Sequence, residues 1–166
     1  MALDDNASIQ RVRDALARHG AAGRVIMLSD SARTAAEAAA GLGCAVGAIV
    51  KSLVFDAGAG RAVMALVAGD RLCDTAALGR ALGLAQAPKR AGADLVRRAT
   101  GFAIGGVSPF GHAETLPIAV DASLARFALL HAAAGHPNAV FPLSYKELLD
   151  WTGGLAVPDL AIAAPA

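Results

Sequence analysis

Aromatic side chains are scarce in this 166-residue chain: they make up 4% of it, against 55% apolar residues overall. A core short of large rings has to be built from Ala, Val, Leu and Ile, which suits alanine-rich helices packed on aliphatic strands. An excess of one charge is also missing, with 15 Lys and Arg against 14 Asp and Glu and a formal net charge of +1. This excludes the overall basic field of a protein that grips nucleic acid mainly by neutralising phosphates, so any RNA contact must be local. The two cysteines, Cys44 and Cys73, form no CxxC pair and have no histidine at metal-ligand spacing. No disulfide framework or zinc site is expected, and a reducing cytoplasm is the simplest setting. No apolar run reaches the roughly 18 residues of a membrane span. Met1-Ala2-Leu3-Asp4-Asp5 is acidic where a signal peptide would be basic and then apolar.

What is present reads as one domain over 1–166, with a core at 8–153 and a tail at 154–166. Ile9, Val12 and Leu16 recur at helical spacing, and Gly20 suits the left-handed stop. Residues 24–28 read as a short strand. Thr34 stands three residues before Glu37, the spacing of a capping box, at the head of an alanine-rich helix that ends at Gly43. Ile49 to Phe55 is β-branched and apolar, halts at Asp56-Ala57-Gly58-Ala59-Gly60, and resumes over 61–68, the pattern of two strands on a glycine turn. Asp74 caps a short helix stopped by Gly83; a strand near 84–87, a helix over 93–100 closed by Gly101, and a strand over 117–121 follow. Ser144 and Glu147 repeat the capping-box spacing before Gly153-Gly154. The tail has two prolines and no charge after Asp159, and is expected as a loosely docked end. Helices interspersed with strands, some joined by tight turns, imply a mixed α/β (α+β) fold: a central mixed, partly barrel-like sheet surrounded by helices.

Two features carry chemistry. Lys51 lies mid-strand with apolar neighbours on both faces, so its ammonium must snorkel to water or enter a polar cleft. Gly105-Gly106-Val107-Ser108-Pro109-Phe110-Gly111-His112 is a loop whose glycines let a ligand approach the main chain, and whose N–H groups can hold a phosphate or an oxyanion. Each also has a purely structural reading, as an edge-strand lysine and as a turn. The loop is neither a dinucleotide fingerprint nor a P-loop, and the chain has no G-x-S-x-G elbow. His19, His112, His131 and His136 form no metalloprotease pattern, and each is expected on the surface or in a loop. Two basic clusters, Arg11, Arg13, Arg18 and Arg24, and Lys89, Arg90, Arg97 and Arg98, can supply a local RNA contact, although such runs are usually solvated faces.

The order of these pieces resembles the YbaK and prolyl-tRNA-editing family, related to the editing domain inserted in bacterial prolyl-tRNA synthetases. The resemblance rests on Thr34-Ala35-Ala36-Glu37-Ala38-Ala39, Leu42-Gly43-Cys44, Ile49 to Phe55, Thr100-Gly101-Phe102, the loop from Gly105 to His112, Val120-Asp121-Ala122-Ser123-Leu124 and Ala134-Gly135.

The resemblance implies a metal-independent, cofactor-free deacylase that hydrolyses the ester of mischarged tRNA carrying Ala, Cys, Ser or Thr. Lys51 and the loop residues Gly105, Gly106, Val107, Ser108 and Pro109 are then its catalytic frame. Thr34, Ser52, His112, Asp121 and Asn138 are expected at the pocket or its rim. Lys51, protonated near its ordinary pKa, suits an anchor better than a base. The implied partners are the acceptor end of aminoacyl-tRNA and an aminoacyl-tRNA synthetase, with no DNA and no membrane. A non-catalytic tRNA- or synthetase-binding module and a hydrolase of small free esters remain open alternatives.

Overall fold

A computed structural model describes residues 3–165; Met1, Ala2 and Ala166, the ends of the expected domain, lie outside them. Among the described residues the five α-helices are α1 (Ala7–Ala17), α2 (Ala35–Leu42), α3 (Thr75–Ala81), α4 (Ala93–Thr100) and α5 (Tyr145–Thr152). The strands are β1 (Ile26–Met27), β2 (Ile49–Asp56), β3 (Ala62–Ala68), β4 (Arg71–Cys73), β5 (Lys89–Arg90), β6 (Ile118–Asp121), β7 (Leu130–His136), β8 (Ala139–Leu143), β9 (Leu155–Val157) and β10 (Ala161–Ala163).

The helix ends follow local chemistry. Asn6, Thr34, Asp74 and Ser144 accept the first free N–H groups of α1, α2, α3 and α5, and Gly43, Gly101 and Gly153 take left-handed angles at three C-termini. Ser144 and Glu147 form the full reciprocal box. Thr34 forms half of one: its hydroxyl accepts from the Glu37 N–H at 3.1 Å and donates to the Glu37 carboxylate at 3.0 Å, so that carboxylate is held by the side chain rather than by the cap N–H.

The main sheet runs β1-β8-β7-β2-β3-β6-β9, with β5 also on β2, while β10 and β4 form a separate pair. β2 and β3 make an antiparallel hairpin, and so do β7 and β8. The hairpins are joined in parallel through β2 and β7, and β3, β6 and β9 are also parallel. This is the mixed α/β single domain expected. Both faces are covered, so β3 is apolar at every position, as strands buried on both sides are. Met64, Leu66 and Ala68 face a core shared with Ile9, Val12 and Leu16 of α1, Val96 of α4 and Leu148 of α5. Val63, Ala65 and Val67 face Leu78 of α3 and the C-terminal Val157, Leu160 and Ala161. On the latter side, Ile49 packs on Ala38 and Ala39 of α2.

Several elements differ from expectation. The strand anticipated at 84–87 forms instead at Lys89–Arg90, where it gains β2 as a partner. The strand at 24–28 begins with a 3-10 turn and shrinks to two residues. β7 and β8 carry no strong strand signature, yet they form a long hairpin in the middle of the sheet path. The tail is not loosely docked: β9 extends β6, β10 pairs with β4, and Leu160 is fully buried, because short apolar stretches on either side of Asp159 can add to open sheet edges.

α5 is tied to the N-terminal region through Arg24, whose guanidinium donates to both Glu147 oxygens at 2.8 Å and lies 5.1 Å from the Trp151 ring centre. These bonds hold the Glu147 carboxyl at about 2, below its ordinary 4.5. A depressed carboxylate contributes stability that is complete above the unfolded value near 4.5 and is lost as pH falls towards about 2. Glu147→Gln is expected to cost about 1–2 kcal/mol at pH 7, a range that allows for the pair's partial exposure, and to flatten the fall in stability between those pH values. Urea unfolding at stepped pH checks both.

Candidate active site

β2 is the strand that opens the site. Along its outer edge, β7 is registered against Ile49 and Val50, and β5 against Phe55 and Asp56, with nothing registered against 51–54. The Ile49 carbonyl accepts from Gly69 on the β3 side, and the Val54 carbonyl accepts from Ala91 on the outer side. Alternation therefore points the main-chain N–H and C=O of Ser52 into the gap. A cleft of about 480 Å³ lies there, within the size range of small-ligand sites.

Lys51 and Ser52 both line this cleft, but pleating sends their side chains to opposite faces. Lys51 shares its face with Ile49 and Leu53, and its Nζ donates to the Arg71 carbonyl. The residue before Arg71 is braced in turn: Asp70 receives two bonds from Arg126, at 2.8 and 3.1 Å, and Arg126 also donates to the Ser123 carbonyl at 2.7 Å. Burial pushes the Lys51 pKa down, Asp70 opposes this, and Arg90 adds to it. Nearby Cys73 is pushed up to about 11, chiefly by burial, and Cys44 is raised for the same reason. Both thiols are protonated at neutral pH and poorly suited to nucleophilic attack.

The glycine loop enters from the other face. Gly105, with φ of 102°, and Val107 line the cleft, whereas Gly106, Ser108 and Pro109 are buried behind it. Gly106 lies against β7, where an added Cβ would stand 2.6 Å from the His136 nitrogen and 2.8 Å from the Gly135 carbonyl carbon. The loop conformation is fixed further back, by His112. Its Nε2 must donate to the Ser108 carbonyl at 2.8 Å, and burial keeps the ring's pKa low.

Of the residues expected at the pocket, Thr34, Lys51, Ser52, Gly105 and Val107 are brought together on its wall. His112 is behind the loop. Asp121 is buried at the end of β6, accepting from Ala68 N–H at 3.1 Å and Ser123 N–H at 2.9 Å. Asn138 sits in the β7–β8 turn, donating to the Leu28 carbonyl at 3.3 Å, between the lining residues Pro137 and Ala139.

The structure adds Arg33, Arg90, His131 and His136 to the wall. His131 is on a strand and half-buried, and His136 ends that strand, which corrects the expectation of surface or loop histidines. Their only sequence signal would have been β7 itself. The lining thus contains Arg33, Lys51 and Arg90 and no carboxylate. Three buried side-chain polar atoms lack a partner among the described residues, and two of them, Ser52 Oγ and His131 Nδ1, belong to lining residues. Burial lowers the His131 pKa, so this ring is neutral at pH 7. The described residues contain no cluster of three His, Cys, Asp or Glu side chains that could hold a metal ion. None of their helices is long and apolar enough to cross a membrane.

The sequence pattern of the aminoacyl-tRNA editing domain matches residues 29–151. The chain belongs to that family. A crystal structure described as a "putative trans-editing enzyme for prolyl tRNA synthetase" shares 41% identity, covers 92% of this chain and 96% of its own, and superposes with a TM-score of 0.84. The structure of hypothetical protein APE2540 is 28% identical, covers 92% and 99%, and has a TM-score of 0.82. The uncharacterized protein YwhH of Bacillus subtilis (strain 168) is 29% identical over 145 residues, 87% of this chain and 91% of that one.

The contact between Gly106 and β7 gives a test of the site's frame. Gly106→Ala forces the loop away from β7 and is expected to cost about 1–3 kcal/mol, whereas Ala at the open Gly92 has nothing within 4 Å to meet and is expected to cost far less. Paired urea denaturation curves measure the difference.

Proposed function

We propose that this protein is a trans-acting deacylase of mischarged aminoacyl-tRNA carrying a small amino acid. The observation that carries this reading is the charge of the cleft: Arg33, Lys51 and Arg90 on the wall, with no carboxylate, in a chain whose total charge is only +1. Such a cleft suits an ester that arrives on phosphates, and its alanine-rich wall leaves room for a small side chain. Family membership supports the same substrate class. An editing site is needed because a synthetic pocket separates amino acids differing by one methylene by only about 1–3 kcal/mol.

The reaction adds water to the ester carbonyl, forms a tetrahedral oxyanion and breaks the bond to the ribose oxygen. That oxygen leaves with a proton, giving free amino acid and tRNA. Lys51 has three N–H donors, one used by the Arg71 carbonyl, and its cation anchors a phosphate or the carbonyl oxygen. Main-chain groups at Ser52 and Gly105 bind the aminoacyl end. The vicinal ribose hydroxyl takes part in the proton transfer, and neutral His131 is the acceptor the wall offers for the water's proton. The reaction as written needs no metal.

The test is ester loss from tRNAs charged separately with alanine, cysteine, serine and threonine. At least one should be deacylated well above the buffer rate, with no change on adding EDTA, and Lys51→Ala should lower kcat/KM on the order of 100-fold or more. If no charged tRNA loses its ester faster than in buffer, the reading fails; binding without turnover in both proteins would make the chain a tRNA-holding module.

Asp70 supplies a pH test of the anchor role. Its negative charge raises the Lys51 pKa, so Asp70→Asn should lower that pKa and withdraw the cation at a lower pH. The alkaline limb of the kcat/KM profile should therefore move to lower pH in the variant. An unchanged limb would separate Lys51 charge from activity.

A further inference from the structure

The chain's cations differ in what they already hold. Arg24, Arg80, Arg126 and Lys146 are paired with Glu147, Asp159, Asp70 and Asp150. Arg11, Arg61, Arg98 and Lys51 donate to main-chain carbonyls. The side chains of Arg18, Arg33, Arg71, Lys89, Arg90 and Arg97 have no hydrogen bond or ion pair among the described residues, and four of these six are lining residues of the cleft or immediate chain neighbours of one. Arg33 and Arg90 line it; Lys89 precedes Arg90 on β5; exposed Arg97 follows the lining residue Val96 on α4.

Like 11–24, the segment 89–98 carries four cations and one carboxylate, but it contributes Arg90, Ala91 and Val96 to the cleft wall, where 11–24 contributes none. The nearby carboxylates do not neutralise it. Asp56, registered opposite Lys89, accepts from the Gly58 N–H at 2.8 Å, and exposed Asp94 makes no ion pair with Arg97 or Arg98. Arg90 is positioned rather than free to sweep, its guanidinium lying 5.7 Å from the Phe55 ring centre. Cations left without acidic partners on the cleft wall and next to it in the chain fit a polyanion that extends beyond the cleft.

We infer that Lys89 and Arg97, continuing from Arg90 on the cleft wall, form a phosphate-binding strip that docks the acceptor stem of tRNA beside the site where the ester is cleaved. The inference rests on the deacylase reading and adds to it where the RNA lies. Because these contacts are to phosphates, they raise the affinity of every acceptor stem alike and carry no base specificity.

The experiment compares wild type with Lys89→Gln/Arg97→Gln on two substrates bearing the same amino acid: charged tRNA and 3′-aminoacyl-adenosine, which has no stem. The variant is expected to lose on the order of tenfold in kcat/KM for charged tRNA at low salt, and to change less than about twofold on the adenosine ester. The slope of log affinity for uncharged tRNA against log salt should become shallower by about 1.4–1.8, the equivalent of two phosphate contacts. If wild type cleaves both substrates and the variant keeps both its tRNA activity and the wild-type salt slope, the strip is overturned while the deacylase reading stands. If wild type cleaves neither, that reading falls, and the titration with uncharged tRNA still decides the strip: an unchanged slope overturns it. Equal losses on both substrates would also overturn it, by placing the residues' effect inside the cleft.

Discussion

Everything at this site depends on an interruption in one strand. A strand in the middle of a sheet normally has both rows of main-chain groups paired, and β2 does so on its β3 side over 50–56. On the other side the parallel partner β7 stops at Val50 and the antiparallel partner β5 starts at Phe55. The gap leaves a polar main-chain edge inside a domain whose sheet is otherwise covered on both faces, and it gives access to residues on both faces at once. Pleating would otherwise keep Lys51 and Ser52 in separate environments. Here the ammonium on one face and the unpartnered Ser52 hydroxyl on the other belong to the same wall.

The elements legible in the sequence were those whose chemistry is local. Thr34, Asp74 and Ser144 mark helix starts because a side-chain oxygen must meet a free N–H, and Gly43, Gly101 and Gly153 mark stops because the chain there turns left-handed. The hairpin of β2 and β3 was legible because its residues are β-branched and its turn is rich in glycine. β7 was not: Leu130-His131-Ala132-Ala133-Ala134-Gly135-His136 is built mainly of residues that are poor strand formers, and it becomes a strand because it lies between β2 and β8. In β8, Pro142 would normally argue against an interior strand. Missing this hairpin meant missing His131 and His136, whose place on the cleft wall is set by long-range pairing and not by neighbours in sequence.

Within the glycine loop, the motif showed that the main chain would be closely approached, but not by what. Gly106 is small because β7 lies against it, as Gly135 is small because an added Cβ would stand 2.5 Å from the Ser8 carbonyl oxygen of α1. Two glycines thus let the loop, β7 and α1 stack backbone to backbone. Only Gly105 and Val107 of the loop then remain at the cleft, while Ser108 and Pro109 serve to hold it.

Charge follows the same division between frame and site. The ion pairs Arg24–Glu147 and Arg126–Asp70 brace elements away from the cleft wall, yet the second reaches it indirectly, because Asp70 adjoins the residue whose carbonyl receives Lys51. Burial alone would drive that ammonium towards its neutral form, and Asp70 opposes this without entering the cleft. A carboxylate on the wall would hold Lys51 charged more strongly, but it would also occupy the cation and repel phosphate. Placing the compensating charge on Asp70, the residue before Arg71, opposes the loss of the lysine's charge and leaves its remaining donors unused.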